Sequence, residues 1–129
     1  MRRYEDFVKA YNNLSEIFDR EEPYGNIELA GMVGLFSVCF EQAWKAMKEV
    51  LQENGFPEGK TGSPKVILKT AYQAGMIKDE NIWMDALVSR NNVAHAYHEG
   101  VARDIIKDTK ARYYDMFGEL KREIDEKWL

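Results

Sequence analysis

The stretch NIELAGMVGLFSVCFEQAWKAMKEVLQENG, residues 26–55, decides the architecture of this 129-residue chain. Its first half, Ile27 to Phe40, is apolar enough to raise the question of a membrane span. A span needs about 20 consecutive apolar residues. This run is shorter, carries Glu28, and continues into Glu41, Lys45 and Lys48, so the stretch reads as a buried core helix. Leu29, Val33, Phe36, Phe40, Ala43, Met47 and Val50 recur at heptad-like spacing, the pattern of near-antiparallel packing in a bundle. Gly31 and Gly34 leave room for a close neighbour or mark a flat partner surface. Asn26 is a good N-cap, and Asn54-Gly55 supplies the stop.

Outward from this helix, nearly every segment is helical by its spacing. Tyr4, Phe7, Tyr11, Leu14 and Phe18 make an amphipathic first helix that ends near Glu21-Glu22, before Pro23 and Gly25. Phe56 to Gly62 reads as a loop. Ser63-Pro64 restarts a helix, with Ser as N-cap and Pro at the first helical position, running to about Gly75. Asp79 or Asn81 opens a fourth helix carrying Ile82, Trp83, Ala86, Leu87 and Arg90. After a break near His98 to Gly100, a last helix runs from about Val101 to Trp128, with Ile105, Thr109, Tyr113, Phe117, Leu120 and Ile124 inward. No strand-like alternation, repeat or low-complexity segment appears. The expected fold is all-α: one domain, residues 1–129, an up-and-down four-helix bundle with an extra short helix.

The composition, 45% hydrophobic and 31% charged with net charge −4, is that of a globular protein and excludes a nucleic-acid binder held by general electrostatics. Any RNA contact would be local and short, and DNA is not expected. The single Cys39 excludes an internal disulfide, and no Cys/His cluster has ligand spacing, so neither a metal nor a cofactor is expected. The chain begins Met1-Arg2-Arg3-Tyr4-Glu5-Asp6 without an apolar signal segment, and the expected location is cytoplasmic, away from membranes.

Arg90 is the anomaly. At about 100° per residue, Leu87, Arg90, Ala94 and Tyr97 all fall within about 40° of Trp83, so the arginine occupies an apolar stripe. A guanidinium buried without partners costs several kcal/mol, so Arg90 must face either a carboxylate or a groove that an anion enters. Asn91 and His95 lie one turn apart on the adjacent flank, and on the same wheel His95 is about 140° from Arg90. One copy of this helix does not aim both side chains at one atom; a symmetric pair of copies would. Against this stands a plainer reading, in which Arg90 pairs with a core carboxylate, Tyr97 is core and His95 is structural.

The context of these residues resembles a known family. Arg90-Asn91-x-x-x-His95-x-Tyr97 is similar to the Arg-x4-His-x-Tyr signature of the HEPN superfamily, and more narrowly to HepT-like proteins, the nucleotidyltransferase substrate-binding proteins. Phe40-Glu41-Gln42-Ala43-Trp44-Lys45, Ser63-Pro64-Lys65-Val66-Ile67, Ala74-Gly75-Met76-Ile77 and Ile82-Trp83-Met84-Asp85 match that family's segments in order. The likeness spans roughly residues 5 to 125. The family pattern has an acidic residue directly before the signature arginine, where this chain has Ser89; Asp85 or Glu41 would then orient Arg90.

The resemblance implies a HEPN-like homodimer whose signature helices face each other, metal-independent RNA cleavage, and a cognate minimal nucleotidyltransferase that neutralises this ribonuclease toxin by transferring AMP to Tyr97. The chemistry suits the residues. Histidine, with an unperturbed pKa of about 6.5, serves both proton roles near neutrality, so His95 would transfer protons. Arg90 would stabilise phosphorane charge, and Asn91 would hold the imidazole or a phosphate oxygen. The alternative is a non-catalytic nucleotidyltransferase substrate-binding subunit, and a third reading is an interaction bundle in which Arg90 merely pairs with Glu41. Arg103, Lys107 and Lys110 form a basic stripe, with Asp104 and Asp108 beside them, that reads first as a solvated salt-bridged face.

Overall fold

The computed structural model describes residues 2–129, Glu99 by its backbone alone. Among the described residues seven α-helices follow in order: α1 (Arg2–Leu14), α2 (Asn26–Glu53), α3 (Glu58–Thr61), α4 (Pro64–Gln73), α5 (Glu80–Asn91), α6 (Glu99–Asp108) and α7 (Tyr114–Lys127). A 3-10 turn, Ser15–Asp19, extends α1, and another, Asn92–His95, follows α5. A π-helical segment, Thr109–Tyr113, joins α6 to α7. The all-helical bundle expected from the spacing is the observed fold, and among the described residues no helix is long and apolar enough to cross a membrane.

The centre is α2. Its stripe of Leu29, Val33, Phe36, Phe40, Ala43, Met47 and Val50 is buried along the whole length. α1, α3, α4, α5 and α6 all pack on it. Rings carry much of the core: Phe36 lies 5.5 Å from Tyr113, and Trp83 lies 5.6 Å from Phe117 and 6.1 Å from Phe40. Each such buried side chain contributes about 1.5–3 kcal/mol by leaving water. Thr70 and Thr109, buried among them, satisfy their hydroxyls by donating to Val66 O and Ile105 O one turn back.

Three local expectations are corrected. Gly25, not Asn26, is the N-cap of α2, and Glu28 accepts its N–H at 3.1 Å. The stretch read as loop from Phe56 to Gly62 contains α3, a single turn pressed so closely on α2 that a Cβ at Gly59 would overlap the backbone of Gln52. Phe18, expected inward, is half-exposed and packs edge-on against Tyr114, because the chain has tightened to 3-10 geometry there. Trp83 is in the core, and Trp44 and Trp128 are partly buried against that core, their indole N–H groups donating to Glu41 and Glu123.

The two ends of the chain are tied by Tyr4, whose hydroxyl donates to the Asp125 carboxylate; Lys121 Nζ lies 3.0 Å from the same carboxylate. The hydroxyl of Tyr4, the largest effect, holds the Asp125 carboxyl below its usual value; burial opposes it and Lys121 adds to it. A carboxyl held below its unfolded value contributes stability above that value, near 3.8, and the contribution is lost as pH falls through the lower folded value. Tyr4→Phe is therefore expected to melt lower at neutral pH and to show a flatter loss of stability below about pH 4. Thermal melts across that range check it, and parallel curves for the two proteins would refute the assignment.

Candidate functional site

α5 begins where Asp79 accepts the N–H of Ile82 at 3.2 Å, one of the two starts expected from the sequence. It buries Trp83 and Ala86 and brings Arg90 to the edge of the core, with about a quarter of its side chain exposed. There Arg90 Nη1 lies 2.8 Å from Glu41 Oε1, and its guanidinium carbon lies 5.7 Å from the Phe40 ring centroid. The arginine in the apolar stripe thus faces a carboxylate on α2. Asp85, the other expected partner, is held instead by Arg112 at 3.1 Å, the main cause of the upward shift of that guanidinium's pKa.

Glu41 is a shared acceptor. Trp44 Nε1 donates to its Oε2 at 3.2 Å, and Lys45 Nζ stands 4.0 Å from the same oxygen. Two cations therefore meet one carboxylate, leaving this corner net positive. The Arg90 contact is close but not aligned: Glu41 Oε1 and Arg90 Nε, both buried, make no hydrogen bond. Arg90 therefore keeps donor capacity that the fold does not use.

Ser89, where the family pattern has an acid, serves a different neighbour. Its hydroxyl is hydrogen-bonded to the Tyr113 hydroxyl at 2.9 Å. Burial pushes the Tyr113 hydroxyl's pKa up, and the bond to Ser89 partly offsets that. Tyr113 belongs to the π-helical segment, so that segment and the end of α5 are joined directly at the arginine's neighbour. Sequence reasoning singled out neither this pair nor Arg112, which lies 27 residues from Asp85. The Glu41–Trp44 contact, at i and i+3 on one helix, had a signal in plain sight.

The remaining signature residues do not gather around Arg90 by the helical wheel. α5 ends at Asn91, and the chain tightens through Asn92–His95. Two asparagines and β-branched Val93 are poor helix formers, which accounts for the stop. Bonds from Ala96 N to Val93 O and from His98 N to His95 O continue the narrow turn before α6 starts at Glu99. Angles drawn for an unbroken α-helix fail beyond Asn91. Ala94, expected on the apolar face, is exposed, as are Asn91 and His95, while Tyr97 is 79% exposed, its ring 4.2 Å from that of His98. One chain therefore offers an anchored arginine and, after it, an outward-facing segment bearing Asn91, His95 and Tyr97.

A family model described as nucleotidyltransferase substrate binding protein like matches residues 2–126. Among solved structures, a Thermus thermophilus protein is 27% identical, with a TM-score of 0.76, covering 88% of this chain and 94% of its own. A Haemophilus influenzae protein, described as revealing the fold of a substrate binding domain of a nucleotidyltransferase, is 19% identical with a TM-score of 0.81. It covers 95% of this chain and 99% of its own, a likeness of fold. No curated protein matches the chain.

Removing the arginine leaves Glu41 half-buried with only Trp44 and Lys45. Arg90→Ala is expected to lower stability by about 1–3 kcal/mol, between the values for exposed and buried pairs. Glu41→Gln in the same background should recover part of that loss. Urea unfolding of the three proteins measures it, and an Arg90→Ala protein as stable as wild type would remove the anchoring role.

Proposed function

We propose, from the premise that this chain belongs to the nucleotidyltransferase substrate binding protein like family, that it is the binding subunit of a separate nucleotidyltransferase. The segment 92–98 is what it presents to that enzyme. The observation that carries this reading is the exposure of Tyr97, at 79%, on a narrow turn directly beyond the anchored Arg90. An aromatic residue at helical spacing would ordinarily be core. Here the 3-10 turn puts its hydroxyl where a second protein's cleft can reach it, while Glu41 and Phe40 fix the base of the turn.

In this reading Tyr97 accepts the nucleotidyl group. Its oxygen attacks the α-phosphorus of ATP, the bond to the β-phosphate breaks, pyrophosphate leaves and the phenolic proton passes to solvent. The adduct puts negative charge on the exposed turn that follows Arg90. Co-expression with a nucleotidyltransferase should give a stable complex and one AMP increment in intact mass. Tyr97→Phe should lose the increment and keep its melting temperature. An increment that persists in Tyr97→Phe would rule out this acceptor.

A second reading is favoured by the unused donor capacity of Arg90 and the exposure of His95 and Asn91 on the same chain segment. It is a metal-independent ribonuclease toxin, with Arg90 on the phosphate and His95 moving protons, silenced when Tyr97 is modified. Because one chain does not bring these side chains together, it requires a homodimer. The face for this is the exposed row Ile27, Gly31, Gly34 and Val38 on α2, the helix that carries Glu41. RNA cleavage in EDTA by unmodified protein, abolished in His95→Ala, is the outcome this reading expects. Inert wild-type protein that still binds the nucleotidyltransferase leaves the first reading alone.

A further inference from the structure

Tyr97 stands 79% exposed, and among the described residues its one ring contact is the imidazole of His98, with centroids 4.2 Å apart and planes tilted by 36°. An exposed tyrosine on a turn ordinarily samples several staggered rotamers. What limits this one depends on how firmly its neighbour is mounted.

His98 is mounted firmly. Its N–H donates to His95 O at 3.1 Å, and its carbonyl accepts from Val101 N at 3.0 Å and Ala102 N at 3.3 Å. Ala102 is itself buried, so the root of the imidazole is tied to the core. His98 is also the N-cap of α6, a helix of 10 residues. That position favours Ser, Thr, Asp or Asn, whose side-chain oxygen accepts an N–H of the first turn. The His98 side chain makes no such bond. The cap therefore gains nothing from the imidazole, and the ring is turned to Tyr97 instead.

We infer that His98 is a positioning residue for Tyr97: its ring is a fixed back-stop that holds the phenol outward for the enzyme that takes it up. This role rests on Tyr97 being the nucleotidyl acceptor and adds the group that presents its hydroxyl. Ring-to-ring contact supplies the hold, so a different aromatic ring at position 98 keeps it and a small capping side chain loses it. A side chain already held before the encounter forfeits less freedom when it is bound. A capping residue at 98 would strengthen the fold and weaken the presentation, an exchange of stability against function.

Wild type, His98→Asn and His98→Phe are to be compared in two assays. In the isolated chain, nuclear Overhauser contacts should join the two rings of wild type, and His98→Asn should melt higher because it caps α6. With the nucleotidyltransferase and ATP, intact mass follows AMP uptake with the chain as the varied substrate. There kcat/KM should fall roughly three- to tenfold in His98→Asn, through KM, and return in His98→Phe. Equal uptake by all three proteins would overturn the role of His98 and leave Tyr97 as acceptor. So would a phenylalanine that fails to rescue, or wild-type rings without contact. A lower melting temperature in His98→Asn would make the imidazole a support of the fold and overturn the role as well. AMP on none of the proteins, or on Tyr97→Phe, would instead take down the acceptor reading, and the role of His98 with it.

Discussion

A 28-residue helix is about 42 Å long, and no single neighbour packs along the whole of it. α1, at 13 residues, spans less than half of it. The apolar stripe of α2 therefore has to be covered in relays, by α1, α3, α4, α5 and α6 in turn. This requirement shapes the rest. It explains why the helices are short, why α3 folds back in a single turn onto the end of α2, and why α5 meets the stripe near Phe40. Where α5 meets it, the apolar row gives way to Glu41, and the arginine that would be costly against Phe40 alone finds its carboxylate.

What the sequence displayed follows from what periodicity can carry. The stripe of α2 and the inward face from Ile105 to Ile124 were readable because burial repeats every three or four residues. The N-cap of α5 was readable, as a choice between Asp79 and Asn81, because capping is local. The end of α5 was not. The wheel ran on through Ala94 and Tyr97, because a switch from i→i+4 to i→i+3 bonding leaves no mark in hydrophobic spacing. Two asparagines were the available clue. The pairing of carboxylates was legible only as a choice: Glu41 and Asp85 both stood as partners for Arg90, and three-dimensional proximity gave one to Arg90 and the other to Arg112. Nothing local announced Arg112, or the bond between Ser89 and Tyr113.

The eight residues from Arg90 to Tyr97 divide between the fold and the surface. Arg90 belongs to the fold, through Glu41 and Phe40. His95 and Tyr97 belong to the surface. The likeness to nucleotidyltransferase substrate-binding proteins agrees with a chain that offers something outward rather than enclosing a private cleft, and the tether at Arg90 keeps what is offered in one place. The Ser89–Tyr113 bond joins this tether to the helix on the other side of the exposed turn, so both of its roots are fixed while its crown is open.

The π-helical segment has a mechanical meaning of its own. Each i→i+5 bond admits one residue more than an α-helical bond, which sets back everything after it by about one residue, roughly 100° of rotation. The rod from Glu99 to Lys127 is thereby geared. Its first half packs on α2 and its second half on α1, with Ala102, Ile105 and Ile106 buried in one and Phe117, Leu120 and Ile124 in the other. An unbroken α-helix would have to bend to serve two neighbours set at different angles. This one changes phase instead and stays a single strut from the turn that carries Tyr97 to the end that Tyr4 holds.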